Sequence, residues 1–467
     1  MSGEKAAKTK FILAPMVRIG VLPFRLLSLD YDADIVYAEE LIDFKLIQCQ
    51  RMVNEILQTV EFCRPGDCTP VFQTCAIERD KVVFQVGTAD AERAVAVGKL
   101  VQNDVAGFDV NMGCPKSFSI QGGMGAALLR DPDKIENILS SLVTALDIPV
   151  SCKIRILPNL ADTLALCKRI ERIGVSRLAV HGRLKEERPR DPNHNDVIYE
   201  IARALSIPVI ANGDSDNITT YNDAQNFALS TNCSGVMLAR AARCNPSIFR
   251  RQGVLPMDQV IVDYLKYAVA YQTSPQNVKY TIQQIIGEEQ QTTERGKQLL
   301  SSATLSHICD LWDLTDYYHE KTSELRDRAQ RSERSRIFTR SKEFDQTKLK
   351  NDYFEVETVK KIEGVSLAKI KYIGKLFEPS SAKSMLNDWC IKRGIKFPMY
   401  NTIVSDDGKK FRSVLSVAET KYGSCYWEKS KRNAEQAAAC VALIELGCRD
   451  RLPKRFLDHL RLHQDVC

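Results

Sequence analysis

The sequence predicts a TIM (β/α)8 barrel, then a helical domain, then a small α+β unit of αβββα order. Three observations predict it. Eight short apolar runs alternate with helix-length segments between Lys10 and about Arg250. Polar residues sit at the C-terminal ends of those runs. From Ser380 the composition changes and a different order of elements begins.

The eight runs are Phe11–Ala14, Ile35–Tyr37, Val82–Gln85, Gly107–Val110, Val150–Ile154, Leu178–His181, Val209–Asn212 and Val236–Leu238. Segments such as Ala89–Asn103 and Pro132–Ala145 separate them. Apolar strands alternating with helices mean a parallel sheet with both faces covered. Eight such units in residues 10–254 fit a closed barrel. A doubly wound open sheet is the competing arrangement, but no GxGxxG follows the first run.

Residues 255–325 read as helical. Met257, Val260, Ile261, Tyr264, Leu265 and Ala268 recur at helical spacing. Most of the tyrosines there read as a core stripe. Residues 326–376 form a charged linker or frayed helix, ending in the basic run Lys369–Lys375. In residues 377–450 a helix over Ala382–Arg393 precedes three strands, Met399–Val404, Lys410–Thr420 and Gly423–Glu428. An alanine-rich helix follows to about Leu446, and residues 451–467 are a tail.

The chain of 467 residues carries a net charge of only +6, so any nucleic-acid surface must be a local patch. No apolar segment is long enough for a membrane span, so no membrane partner is expected. The first ten residues are polar and lysine-rich, unlike a secretory signal. The 15 cysteines are therefore expected reduced, in the cytoplasm. Cys63, Cys68 and Cys75 lack a CxxC pair and a nearby histidine, and read as ordinary thiols around a loop. No metal is expected.

The chemistry is concentrated on one rim. Gln85, Asn111, Lys153, His181 and Asn212 stand at or next to the C-terminal ends of five different runs. The C-terminal rim is where barrels carry their active sites. Cys114 stands on a Gly-Cys-Pro turn just past the fourth run, placed to touch a ligand, with a buried structural thiol as the alternative. Asn212-Gly213-Asp214 and Ala239-Arg240 follow the seventh and eighth runs, the usual phosphate-binding loops. Asp214 and Asp216 are unwelcome near a dianion, so backbone N–H groups and Arg240 would supply the contact. Two ordinary turns are the alternative. Gln85 suits the pyrimidine edge of an isoalloxazine. Lys153 and His181 suit its N1–C2=O locus, where they can place positive charge. His181, followed by Gly182-Arg183, looks exposed. Pro15, Met16 and Val17 can supply backbone and apolar contacts.

Ala14-Pro15-Met16, Asn111-Met112-Gly113-Cys114-Pro115, Cys152-Lys153-Ile154-Arg155, His181-Gly182-Arg183 and Asn212-Gly213-Asp214 resemble the FMN-dependent tRNA-dihydrouridine synthases. The resemblance covers residues 10–325. It implies a TIM barrel with a helical domain, FMN as cofactor and NADPH as reductant. It implies reduction of the C5=C6 bond of a uridine in tRNA. Cys114 would be the general acid, Asn111 would hold the uracil edge, and Arg183 and Lys116 would face the RNA. The αβββα unit, with Lys429, Lys431 and Arg432 at its last helix, resembles a double-stranded RNA-binding domain. The two together resemble the eukaryotic type 2 branch, which implies uridine 20 of the D-loop as target. A monomer on tRNA is expected. Two rivals stand beside this: an FMN barrel acting on a small enone, and an RNA-binding regulator with a vestigial barrel.

Overall fold

Eight parallel strands close on themselves in residue order. They are β1 (Lys10–Leu13), β2 (Ile35–Tyr37), β3 (Val82–Gly87), β4 (Gly107–Met112), β5 (Val150–Arg155), β6 (Arg177–His181), β7 (Val209–Asn212) and β8 (Gly235–Leu238). Each pairs in parallel with its neighbour, and β8 returns to β1. The competing open sheet is thereby excluded. The structure is a computed structural model that describes residues 9–64, 69–343, 360–362, 365–368, 370, 372, 377, 381–405, 408, 410–417, 419–448, 452, 453 and 456.

Side chains alternate across each strand, so parity decides which residues face inward. Ile12, Ala14, Tyr37, Val83, Ala179, Ile210 and Met237 form one buried inner cluster. Phe84, Phe108, Val110, Cys152, Ile154, Leu178 and Val180 have the opposite parity and join the larger core under the helices. That larger core continues into the helices Met257–Ala270 and Pro275–Ile286 through Val260, Tyr264, Leu265, Val278 and Ile282. A long helix, Thr315–Glu343, follows and takes in residues 326–343 of the stretch read as a charged linker or frayed helix.

Between β2 and β3 the chain makes an excursion that the sequence reading did not contain. Strands Gln50–Asn54, Thr59–Cys63 and Phe72–Cys75 form a separate antiparallel sheet. Cys63 and Cys75 therefore lie buried on strands rather than around a loop, and Cys68 lies outside the described residues. All cysteines among the described residues are free thiols, and no cluster of metal-ligating side chains occurs there. No helix among the described residues is long and apolar enough to cross a membrane.

The chain divides into two compact units, residues 1–63 with 71–325, and residues 64–70 with 326–467. In the second, helices Ala382–Arg393 and Lys431–Glu445 flank a sheet containing Met399–Val404, Phe411–Val417 and Thr420–Ser424. The third strand starts earlier than the sequence reading placed it, because the chain reverses at Glu419, whose φ of 62° is left-handed. Two further strands were not foreseen. Lys360–Ile362 and Val365–Ala368 form a hairpin, and the latter pairs in parallel with Thr420–Ser424. Most of the basic run Lys369–Lys375 lies outside the described residues.

Candidate active site at the barrel rim

The same parity that fills the barrel carries polar groups toward its C-terminal mouth. Two residues beyond Val83 stands Gln85, two beyond Asp109 stands Asn111, and two beyond Ser151 stands Lys153. Register aligns Gln85 with Asp109, Asn111 with Lys153, and His181 with both Arg155 and Asn212. The rim residues chosen from sequence are thus brought together.

Asp109 is fully buried and accepts from Gln85 Nε2 at 2.8 Å and Ser151 Oγ at 2.6 Å. Burial pushes its carboxyl up to about 6. Gln85 Oε1 is left buried without a protein partner. Burial lowers Lys153 to about 8, with Arg155 adding to the fall. At neutral pH Lys153 still carries its charge for most of the time.

Two expectations are corrected here. His181 is not exposed: its Nδ1 is buried and unpartnered. Burial first, then the nearby cations Lys153, Arg155, Arg183 and Arg240, push its pKa far below the ordinary range. The ring is neutral, so it offers an N–H and a lone pair but no positive charge. Arg183 does not face outward either. It is 5% exposed, and donates Nε to Asp191 O at 2.8 Å and Nη2 to Pro189 O at 3.3 Å. Its fork holds the 183–191 loop.

Asn111 builds the turn that carries Cys114. Its Oδ1 accepts from Gly113 N–H at 2.9 Å and Cys114 N–H at 3.1 Å. Its oxygen is therefore committed to the turn, which leaves the amide N–H groups for a uracil edge. Cys114 O accepts from Ala126 N–H at 3.0 Å. A Cβ at Gly125 would lie 2.6 Å from Cys114 O, so glycine there makes room for the turn. Burial and a neighbouring carboxylate, Glu40, raise the Cys114 thiol.

A cavity of about 810 Å³ opens beside this turn, lined by Cys114, Lys116, Gln121, Arg155, Glu187 and Arg188 among others. Such a volume accommodates a nucleoside. Arg155, absent from the residues picked as ligands, braces the cavity floor. It donates Nε to Gly113 O at 3.0 Å and Nη1 to Leu184 O at 2.7 Å. Arg188 is exposed on the same cavity, as is Lys116.

At the phosphate loops, Asn212 Nδ2 donates to Met237 O at 2.7 Å and ties β7 to β8. Gly213 has φ 118°, and a Cβ there would stand 2.0 Å from Asn193 Oδ1. The Asp214 carboxylate is occupied by Asn195 at 2.9 Å and Asn217 at 2.7 Å. Arg240 is not a free cation: it pairs with Asp216 at 3.0 Å. The short helix Arg240–Cys244 begins here with Ala239 at its N-cap and no capping side chain. Across the mouth, Pro15 and Met16 are half-buried and Val17 is exposed, with Ala14 N–H bonded to Leu238 O at 2.9 Å.

Glu40 is a rim residue that sequence reasoning missed. Its Oε1 is buried without a hydrogen-bond partner, and burial raises its pKa. The signal was present: an acid pair, Glu39-Glu40, just past the second apolar run, where the same rim rule applies.

In the second unit, Lys429, Lys431 and Arg432 are all exposed around the start of helix Lys431–Glu445. Ser430 caps that helix by accepting from Asn433 N–H at 3.2 Å. The cations and the positive helix end together suit phosphates.

Comparison with known proteins places these features in a family. A family model described as dihydrouridine synthase (Dus) matches residues 12–343, and one described as double-stranded RNA binding motif matches residues 382–446. A relative from Schizosaccharomyces pombe, tRNA-dihydrouridine(20) synthase [NAD(P)+], is 39% identical over 59% of this chain and 59% of its own length. The protein of that name from Saccharomyces cerevisiae is 39% identical over 59% of this chain and 77% of its own. The crystal structure of a tRNA-dihydrouridine(20) synthase dsRBD domain matches at 34% identity, covering 19% of this chain and 96% of that one, with a TM-score of 0.19. Because the first family model runs from the first barrel strand to the end of the long helix, this chain belongs to the dihydrouridine synthase family.

Proposed function

We propose that this protein reduces the C5=C6 bond of uridine 20 in the tRNA D-loop, using FMN and NADPH, with Cys114 as proton donor. The observation that carries the reading is the placement of Cys114. It stands on a turn held by Asn111 at the C-terminal rim, beside a cavity of nucleoside size. The names of the yeast relatives support the substrate and the nicotinamide reductant.

The rim residues fit FMN. Gln85 Oε1 and His181 Nδ1 are buried polar atoms that lack protein partners. Gln85 would accept from the flavin pyrimidine edge, Lys153 would supply a cation near N1–C2=O, and neutral His181 would supply a hydrogen bond. Gly213, Ala239 and Arg240 would hold the phosphate, with Arg240 exchanging Asp216 for it. When bound, FMN supplies the hydride for C6.

The chain's own part is the proton. A developing enolate at C4–C5 needs a donor nearby. The raised Cys114 pKa keeps the thiol protonated at neutral pH. Its S–H bond breaks, the proton goes to C5, and the thiolate takes a proton from solvent afterwards. Lys116, Arg155 and Arg188 would hold the nucleotide, and Lys429, Lys431 and Arg432 would contribute RNA affinity as a shape-reading patch.

The test is dihydrouridine formation on tRNA by wild type and Cys114→Ala, each supplied with FMN and NADPH. A D-loop product from wild type, reduced at least 100-fold in the flavin-loaded variant, is expected. A yellow wild type that leaves tRNA unreduced overturns the substrate assignment, and a colourless protein that binds duplex RNA overturns the enzyme.

A further inference from the structure

Two acids border the loop read as the phosphate site, Asp214 and Asp216, and either carboxylate would repel a phosphate. Asp216 is answered by a cation, since Arg240 pairs with it at 3.0 Å. Asp214 is answered by amides. Asn195 Nδ2 donates to its Oδ2 at 2.9 Å, and Asn217 Nδ2 donates to its Oδ1 at 2.7 Å. Its backbone stands at φ 54°, a left-handed conformation that disfavours a residue with a Cβ.

The Asn195 amide is itself held, because Asn193 Nδ2 donates to Asn195 Oδ1 at 2.6 Å. The direction of this relay follows from chemistry. A carboxylate only accepts, so Asn195 turns its N–H groups to Asp214 and its oxygen to Asn193. Asn193 then turns its N–H groups to Asn195. Its own Oδ1 is left buried without a partner, against Gly213.

The Asn193 amide is also a wedge between two strand ends. A Cβ at Gly182, just past β6, would lie 2.8 Å from its Nδ2, and one at Gly213, just past β7, 2.0 Å from its Oδ1. Asn193 fills the space that side chains at both glycines would need. The next residue fastens it: His194 N–H bonds Gly182 O at 2.7 Å. We propose that Asn193 is a positioning residue for the cofactor phosphate. Through Asn195 it holds the Asp214 carboxylate out of the phosphate's place, and its amide supports the Gly213 backbone that approaches the phosphate. The inference rests on the reading of the 212–214 loop as part of an FMN phosphate site and deepens it.

An amide that only filled a hole would matter equally to any flavin. Release of Asp214 would matter only to a flavin that carries a phosphate. The experiment therefore measures the affinity of the flavin-stripped full chain for FMN and for riboflavin, which lacks the phosphate, by quenching of flavin fluorescence. Wild type should favour FMN. Asn193→Ala should weaken FMN binding about tenfold and riboflavin binding less than about twofold, the order expected when like charges come within a few ångströms. Asn195→Ala cuts the relay without emptying the wedge, and should do the same even if Asn193→Ala fails to fold. In an Asp214→Asn background, where the charge is gone, Asn193→Ala should lose its effect on FMN. Unchanged affinities, equal losses for the two flavins, or a loss that persists in the Asp214→Asn background overturn the inference. A wild type that binds both flavins alike overturns the phosphate assignment beneath it, and one that binds neither overturns the flavin reading as well.

Discussion

Gln85 donates its amide to Asp109 across neighbouring strands, Nε2 to Oδ2 at 2.8 Å, while Ser151 Oγ occupies the other carboxylate oxygen. Asp109 therefore decides which end of Gln85 is free, and that end is the carbonyl. In Asp109→Asn the new amide can accept from Ser151 only by turning its N–H groups to Gln85, which must then flip. The site would present a donor where it now presents an acceptor. FMN affinity of the apoprotein should fall about tenfold, the worth of one hydrogen bond. Quenching of flavin fluorescence measures it, and unchanged affinity would mean that Gln85 does not read the ring.

The same carboxyl gives the barrel a pH dependence. Burial raises Asp109 to about 6 in the folded protein, against about 4 in an unfolded chain. The sign follows from linkage: protonated Asp109 favours the fold, fully so below pH ~4, and that contribution is lost as pH rises through 6. The size is on the order of 3 kcal/mol. Urea midpoints of wild type and Asp109→Asn should therefore differ in the variant's favour more at pH 7.5 than at pH 5. A gap independent of pH would contradict the assignment.

Asn111→Ala leaves two N–H groups of the Cys114 turn without their acceptor. Each orphaned donor costs about 1–3 kcal/mol. The larger effect should be on rate, because a displacement of ~1 Å at a reacting group costs about 100-fold. Single-turnover reduction of tRNA on flavin-loaded protein should show a lower rate with flavin binding nearly intact.

The two arginines of the 183–188 segment should behave oppositely. Arg183→Ala removes a buried guanidinium that holds two loop carbonyls, so the melting temperature should drop by several degrees. Arg188→Ala removes a guanidinium whose contacts, to the Lys185, Glu186 and Glu187 carbonyls, are all solvent-exposed, so it should change melting much less while raising KM for tRNA. Differential scanning calorimetry beside steady-state kinetics distinguishes them.

Replacing Lys429, Lys431 and Arg432 together by Ala should weaken RNA binding and flatten its salt dependence. Three lost phosphate contacts reduce the slope of log K against log salt by about 2–3. Filter binding of tRNA at several salt concentrations reads the slope. An unchanged slope would place the RNA elsewhere.

The barrel was legible because its strands are continuous apolar runs and its rim residues are polar exceptions to them. Every one of the eight runs became a strand. The excursion sheet was not legible, since Gln50–Asn54 and Thr59–Cys63 mix charge with short apolar stretches and carry no turn signature such as Asn-Gly. At the rim, chain position found Cys114, Lys153 and Gln85, but it could not fix what each does. His181 read as exposed because a glycine follows it, and Arg183 was expected to face RNA; burial keeps the first neutral, and two loop carbonyls occupy the second. Glu40 escaped because the strand position it packs against, Gly87, is far away in sequence.

The parallel ladder between Val365–Ala368 and Thr420–Ser424 sets how the RNA-binding unit can be cut. A fragment begun at residue 377 would strip one side of Thr420–Ser424 and leave a row of bare amides and carbonyls. Such a row is a template for another chain, so the short fragment should self-associate. Ser424 Oγ also donates to Ile370 O, a second tie that this cut severs. The portable module therefore begins at or before residue 360, and the stretch that looked like a tether is an integral wall of the sheet.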